Sequence, residues 1–193
     1  KKNDGFSGDL FDVFVDNDTD LFKNSNLSDI KSTYHNYYLL DNVEDVKQLG
    51  AKILDSKFCC FDTETSGINP ISANLVGISF SIKEHEAFYI PITADEEKNR
   101  EILSIIKNVL EDETILKIGQ NIKYDILVLS NLGIDVKGEM FDTMIAHYLL
   151  QPELHHNMDY LAEIYLKYKT IHIEELIGER GKHQGNMANL FPE

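Results

Sequence analysis

Positive charge is scarce in this sequence: its 193 residues hold 18 Lys and Arg against 33 Asp and Glu, a formal net charge of −15. That excludes a broad basic footprint. A polyanion bound here must be held locally, through metal ions, backbone donors and stacking. Cysteine is nearly absent too. Cys59 and Cys60 are neighbours, and adjacent residues of a strand face opposite sides, so a disulfide is excluded and reduced core packing is expected. No apolar run approaches membrane-spanning length and no signal-peptide pattern is present, which implies a cytosolic protein. Internal repeats are missing as well. What remains is a globular composition, 42% hydrophobic and 26% charged, with length for one ordinary domain and an extension.

Residues 1–33 are rich in Asp, Asn, Ser and Lys without a sustained period, and read as an acidic, polar interdomain linker. The domain is expected over 34–193. Tyr37 to Leu40 reads as a short strand. Asn42 or Asp41 then caps a helix carrying Val43, Val46, Leu49 and Ile53 at helical spacing. Phe58-Cys59-Cys60-Phe61 is apolar without alternation, as in a strand buried on both faces. Residues 75–82 put Val76, Ile78, Phe80 and Ile82 on one face, and Ala87 to Ile90 returns as a hairpin partner. Thr93-x-x-Glu96 is a capping-box pattern, opening a helix that buries Ile102, Ile105, Ile106 and Val109. Thr114 to Ile118 reads as a buried strand. Asn121 opens a helix with Ile122, Ile126 and Leu129 on one side, and Gly133 ends it. Asp142 and Asp159 look like caps of two later helices, one bearing Met144, Ile145, Tyr148 and Leu149. After Thr170 the pattern fades into a polar loop. Strands first, then strands alternating with helices, predict an α/β domain with a mixed sheet flanked by helices.

Two stretches carry chemistry. Asp62 and Glu64 sit two apart at the C-terminal end of the proposed central strand, so their carboxylates share a side. Carboxylates that close repel unless a cation neutralises them, and hard divalent ions such as Mg²⁺ or Mn²⁺ suit oxygen donors. Strand ends are also where open α/β sheets place their sites. Asn121 and Asp125, four apart, share one helical face beside Tyr124. Each pattern alone also suits an ordinary strand end or a helix cap.

Together they match a family. Phe-Asp-Thr-Glu-Thr-x-Gly (61–67), Ala-Asn-Leu-Val-Gly-Ile-Ser-Phe (73–80), Lys-Ile-Gly-Gln-Asn-Ile-Lys-Tyr-Asp (117–125), Phe-Asp-Thr-Met (141–144) and His-x-Met-Asp-Tyr-Leu-Ala (156–162) resemble the 3′→5′ proofreading exonuclease domain of bacterial DNA polymerase I. That family has the ribonuclease H-like fold of the DEDD exonucleases. The resemblance implies metal-dependent hydrolysis at DNA 3′ ends with two divalent ions, Mg²⁺ or Mn²⁺, held by Asp62, Glu64 and Asp125. It implies that Gln120, Asn121 and Tyr124 line the groove, Thr65 contacts the terminal nucleotide, and Ile68 is an apolar wedge against its base. Ile173 falls where the family often has a stacking aromatic, and His155 or His156 near a phosphate. The family's fourth carboxylate, in a Tyr-x-x-x-Asp motif, is not found after Gln184, so the resemblance implies a domain cut short of that motif, with little activity alone. Expected partners are a single-stranded DNA 3′ end and the 5′-nuclease and polymerase domains of a longer chain. Asp9-Leu10-Phe11 resembles a peptide that docks on the sliding clamp, with Ser7 near the place of its usual glutamine. A non-catalytic DNA-binding or spacer module is the alternative, and retention of all three carboxylates speaks against it.

Overall fold

The computed structural model describes residues 27–178, 185, 187 and 190, so the expected clamp peptide at Asp9, Leu10 and Phe11 lies outside the described residues. Six strands form one sheet in the order β1-β4-β3-β2-β5-β6. They are β1 (Asn36–Leu39), β2 (Phe58–Thr65), β3 (Leu75–Lys83), β4 (Glu86–Pro91), β5 (Leu116–Gly119) and β6 (Met140–Asp142). β2, β3 and β4 run antiparallel as consecutive neighbours, whereas β5 joins β2, and β6 joins β5, in parallel. The mixed sheet is as expected. β6 was not foreseen: three residues are too few for a period.

Helices α1 (Val43–Ser56), α2 (Glu96–Leu110) and α3 (Lys123–Asn131) cross between strands. Their apolar residues join a single core on one face of the sheet. Val46, Leu49 and Ile53 of α1 and Ile102, Ile106 and Val109 of α2 pack with Phe61, Ile78, Phe80 and Ile90 of the strands, and Ile122 and Leu129 at α3 extend the cluster. Each such side chain stabilises the fold by roughly 1.5–3 kcal/mol through burial. Asn42 caps α1, accepting from Asp45 N at 2.9 Å. Gly50 lets α1 approach α2, since a Cβ there would lie 3.2 Å from Ile105 Cγ2.

Three expectations are corrected. β2 is not buried on both faces: Cys59 and Phe61 are buried while Cys60 is exposed and Phe58 is 39% exposed. Among the described residues all the core-forming helices lie on the Cys59 and Phe61 side, so Cys60 is no core residue. The cap of α2 is Asp95, accepting from Lys98 N at 3.0 Å, because Thr93 stands a residue pair too early and contacts Asn99 instead. Asp142 does cap α4 (Thr143–Leu150), but Asn157, not Asp159, caps α5 (Met158–Leu161).

The chain beyond β6 is helical and loosely covered. Ile145, Tyr148 and Leu149 of α4, expected as its apolar face, are exposed, and His147 is the buried residue of that helix. A π-helical turn spans Ala162–Leu166, and α6 (Ile173–Ile177) occupies part of the expected loop. From the other end, Ser28 pairs with Tyr168 as an isolated bridge, tying the last residues of the expected linker to the domain. Among the described residues, no helix is long and apolar enough to cross a membrane.

Candidate active site

β2 carries its chemistry on the face the helices leave open. Alternation sends Cys59, Phe61 and Thr63 into the core and Cys60, Asp62 and Glu64 the other way. Across the ladder these three meet Ser81, Ser79 and Gly77 of β3, small residues that leave the carboxylates room.

Asp125 reaches the same end of the sheet from the first turn of α3, where it is 2% exposed. Thr63 fixes it: the Thr63 backbone N–H and Oγ1–H both donate to Asp125 Oδ1, at 2.9 and 2.5 Å. The residue between the two β2 carboxylates is thus what anchors the third.

Electrostatics bind the trio together. Burial, then Asp125, then Glu64, push the Asp62 carboxyl up to about 7. Burial and then Asp125 raise that of Glu64. Burial raises Asp125 as well, against the Thr63 hydrogen bonds that lower it. Among the described residues neither Asp62 nor Glu64 has a hydrogen bond or an ion pair to its side chain, and no three His, Cys, Asp or Glu side chains converge into a metal cage. The donor chemistry nonetheless fits hard divalent cations: three carboxylates, forced toward protonation in a cation's absence and with no Lys or Arg beside them among the described residues.

Around this trio the expected substrate residues fall into three settings. A cleft of about 330 Å³ is lined by Glu64, Thr65, Ile68 and Tyr124, together with Ile173 and Ile177 of α6. Ile68 is 91% exposed. Thr65 Oγ1 and Tyr124 Oη lie 2.8 Å apart and both reach the Gly67 carbonyl, at 2.9 and 2.7 Å. Tyr124 therefore braces the loop that carries Ile68. Asn121 opens instead on a neighbouring groove with Pro70, Lys123 and Leu127. Asn121 does not open α3 or share a helical face with Asp125 as expected: α3 starts at Lys123 without a side-chain cap, the Asn121 φ of 59° is left-handed, and Asp142 holds the turn by accepting from Asn121 N at 3.1 Å and Ile122 N at 3.0 Å. Gln120 is turned inward, donating from Nε2 to the His156 carbonyl at 2.7 Å and accepting at Oε1 from Thr143 Oγ1. Sequence placed these residues near one another; it did not show that Gln120 is committed to scaffold.

Two site residues escaped the sequence reading. Ile177 lines the cleft one turn after Ile173, on a helix too short to show a period. Tyr89 of β4 lays its ring over Gly77, the partner of Glu64: a Cβ at Gly77 would meet Tyr89 Oη at 2.2 Å. Burial and then Glu64 raise the Tyr89 phenol. Tyr89 is the ladder partner of Ser79 and its ring reaches across to Gly77, a placement that only strand register reveals.

Known proteins resemble this chain in sequence and in fold. DNA polymerase I of Pseudomonas aeruginosa is 39% identical over 140 residues, 68% of this chain and 15% of that protein. DNA polymerase I of Borreliella burgdorferi is 40% identical over 142 residues, 72% of this chain and 15% of that protein. The chain thus spans about 15% of the length of the curated relatives it matches. Among solved structures, Escherichia coli RNase D, an exoribonuclease, superposes with a TM-score of 0.55 at 20% identity, over 67% of this chain and 33% of that one. Brucella melitensis NrnC with bound Mg²⁺ gives 0.53 at 23% identity, over 71% and 64%. These give the ribonuclease H-like fold. The sequence model described as 3′-5′ exonuclease matches residues 37–188, a span running from β1 past α6 through every motif of the site. By that match the chain belongs to the 3′-5′ exonuclease family, as a domain of the DNA polymerase I type.

Proposed function

We propose that this domain removes nucleotides from single-stranded or frayed DNA 3′ ends as the proofreading part of a DNA polymerase I in the bacterial cytoplasm. The single observation that carries the reading is the electrostatic trio: Asp62 and Glu64 on one open sheet face beside Asp125, with no Lys or Arg among the described residues to balance them. We take residues 34–193 as the exonuclease domain and residues 1–33 as the linker to a 5′-nuclease domain, with the polymerase domain as the other partner. Docking of Asp9-Leu10-Phe11 on a sliding clamp belongs to the same proposal.

Asp62, Glu64 and Asp125 would hold the divalent cations. When bound, such ions supply charge neutralisation and Lewis acidity for phosphodiester hydrolysis. Water attacks the terminal phosphorus, the bond to the preceding O3′ breaks, that oxygen takes up a proton, and a nucleoside monophosphate leaves. The chain's own groups orient this step. Thr63 keeps Asp125 in place, Ile68 rests against the terminal base, Thr65 meets the terminal nucleotide, and Tyr124 braces the loop beneath both. Asn121 offers a side-chain amide without a partner among the described residues to the incoming strand. Only an unpaired end enters cheaply, so mispaired ends are selected by the cost of fraying.

The test is cleavage of 5′-labelled single-stranded DNA with Mg²⁺ and then Mn²⁺, beside an Asp62→Ala control, in this chain and in a natural polypeptide that carries it within a polymerase. A one-nucleotide ladder that Asp62→Ala abolishes supports the reading. DNA bound by both and cut by neither would replace it with a non-catalytic module.

A further inference from the structure

We propose that His147 is a positioning residue for the DNA groove, acting through His156 and Gln120; this rests on the exonuclease reading above. His147 is 5% exposed on α4. Its Nδ1 faces Nδ1 of His156 at 2.6 Å, so one imidazole carries the proton and the other accepts it. The remaining nitrogen, His147 Nε2, is buried with no hydrogen-bond partner among the described residues. Burying a polar nitrogen without a partner is costly, and a phenylalanine would fill the same space without that cost. Packing alone therefore does not account for the imidazole; the bond to His156 does.

That bond leads to the groove. The His156 carbonyl accepts from Gln120 Nε2 at 2.7 Å, while Thr143 Oγ1 donates to Gln120 Oε1. Thr143 and His147 stand four apart on α4, one turn from each other. One helix thus grips Gln120 at both ends, directly through Thr143 and through His156 by way of His147. The next residue is Asn121, whose left-handed turn is held by Asp142, the cap of the same helix. The α4 N-terminal half is accordingly a rigid clamp on the turn that presents Asn121 and starts the helix of Tyr124 and Asp125. The clamp is itself immobilised: the His147 ring packs edge-on against Tyr160 and Tyr165, at 6.4 and 5.6 Å between centroids.

The test measures binding of a 5′-labelled single-stranded oligonucleotide to the 193-residue chain in chelator, so that nothing is cut. His147→Phe keeps the volume and removes Nδ1, and is expected to weaken binding about tenfold. His147→Asn places an amide where Nδ1 stood, His147→Gln where Nε2 stood. Asn is expected to restore most of the affinity and Gln little. In the unaltered chain the imidazole ¹⁵N signals should show one hydrogen-bonded Nδ1 pair, lost in His147→Phe. Gln120→Ala runs in parallel. If Gln120→Ala weakens binding and folded His147→Phe does not, the positioning role is overturned while the groove stands. If neither weakens it, the groove reading falls as well. Should His147→Phe not fold, equal affinities for the Asn and Gln variants overturn the proposal.

Discussion

At the scale of residues, what the sequence revealed and what it hid divide along chain distance. Asp62 and Glu64 were legible because strand alternation is local: two residues apart means one side. The tie from Thr63 to Asp125 crosses 62 positions, and nothing local announces it. Its removal is a clean test. Thr63→Val keeps the shape and deletes the Oγ1–H donor, leaving Asp125 with the backbone bond alone. The expected outcome is a loss of about 1 kcal/mol in unfolding free energy, with cleavage falling roughly 10–100-fold as for other residues that orient a metal ligand. Denaturant titration and the ladder assay check the two parts separately. Tyr89 is the opposite case: Tyr89→Phe keeps the ring over Gly77 and removes only the hydroxyl near Glu64. Cleavage is expected to drop several-fold while the melting temperature holds, and an unchanged rate would make the tyrosine mere cover for the glycine.

Elements were legible in proportion to their length. α1 and α2 run 14 and 15 residues, enough for the helical period to show: of the expected core positions only Val43 and Ile105 are partly rather than fully buried, and Gly50 and Leu110 are buried in addition. β6 and α6, at three and five residues, give no period. Their places are set by tertiary partners: β6 by its parallel register with β5, α6 by the cleft it closes. The misread face of β2 has a physical cause too. An apolar run without alternation signals burial only if both faces are covered, and in the described residues the helices cover one. α6 offers the element-level prediction. Ile173 lines the same cleft as Ile68, where an aliphatic side chain gives a base less contact than a ring. Ile173→Phe is expected to tighten oligonucleotide binding about five- to tenfold through stacking. Weaker binding would mean that the cleft has no room for a ring and that Ile177 already completes it.

Across the whole molecule, the excess of 33 acidic over 18 basic residues and the raised carboxyls of the site point the same way in pH. A carboxyl raised by folding holds a proton that the unfolded chain has already released, so the folded state binds more protons and its stability declines as pH rises through the interval between the two values. For Asp62 that interval runs from 3.8 to about 7, and Glu64 and Asp125 shift in the same direction. The lowered carboxyls Asp29, Glu111 and Asp112 act in the acid range below their ordinary value of 3.8 or 4.5 and do not disturb this window. The metal-free protein is therefore expected to melt lower at pH 8 than at pH 5.5, by about 2–4 °C for each kcal/mol of charge buried unbalanced. General self-repulsion of an acidic surface has the same sign, so the contribution of the site is read from Asp62→Asn. This variant should flatten the decline and raise stability at pH 8, while abolishing cleavage. Divalent ions bind the folded, ionised trio and reverse the sign by mass action. Millimolar Mg²⁺ should accordingly raise the melting temperature of the unaltered chain at pH 8, do little at pH 5.5, and do little at either pH for Asp62→Asn. A metal-free protein that melts higher at pH 8 than at pH 5.5 would show that the three carboxylates are already balanced from within.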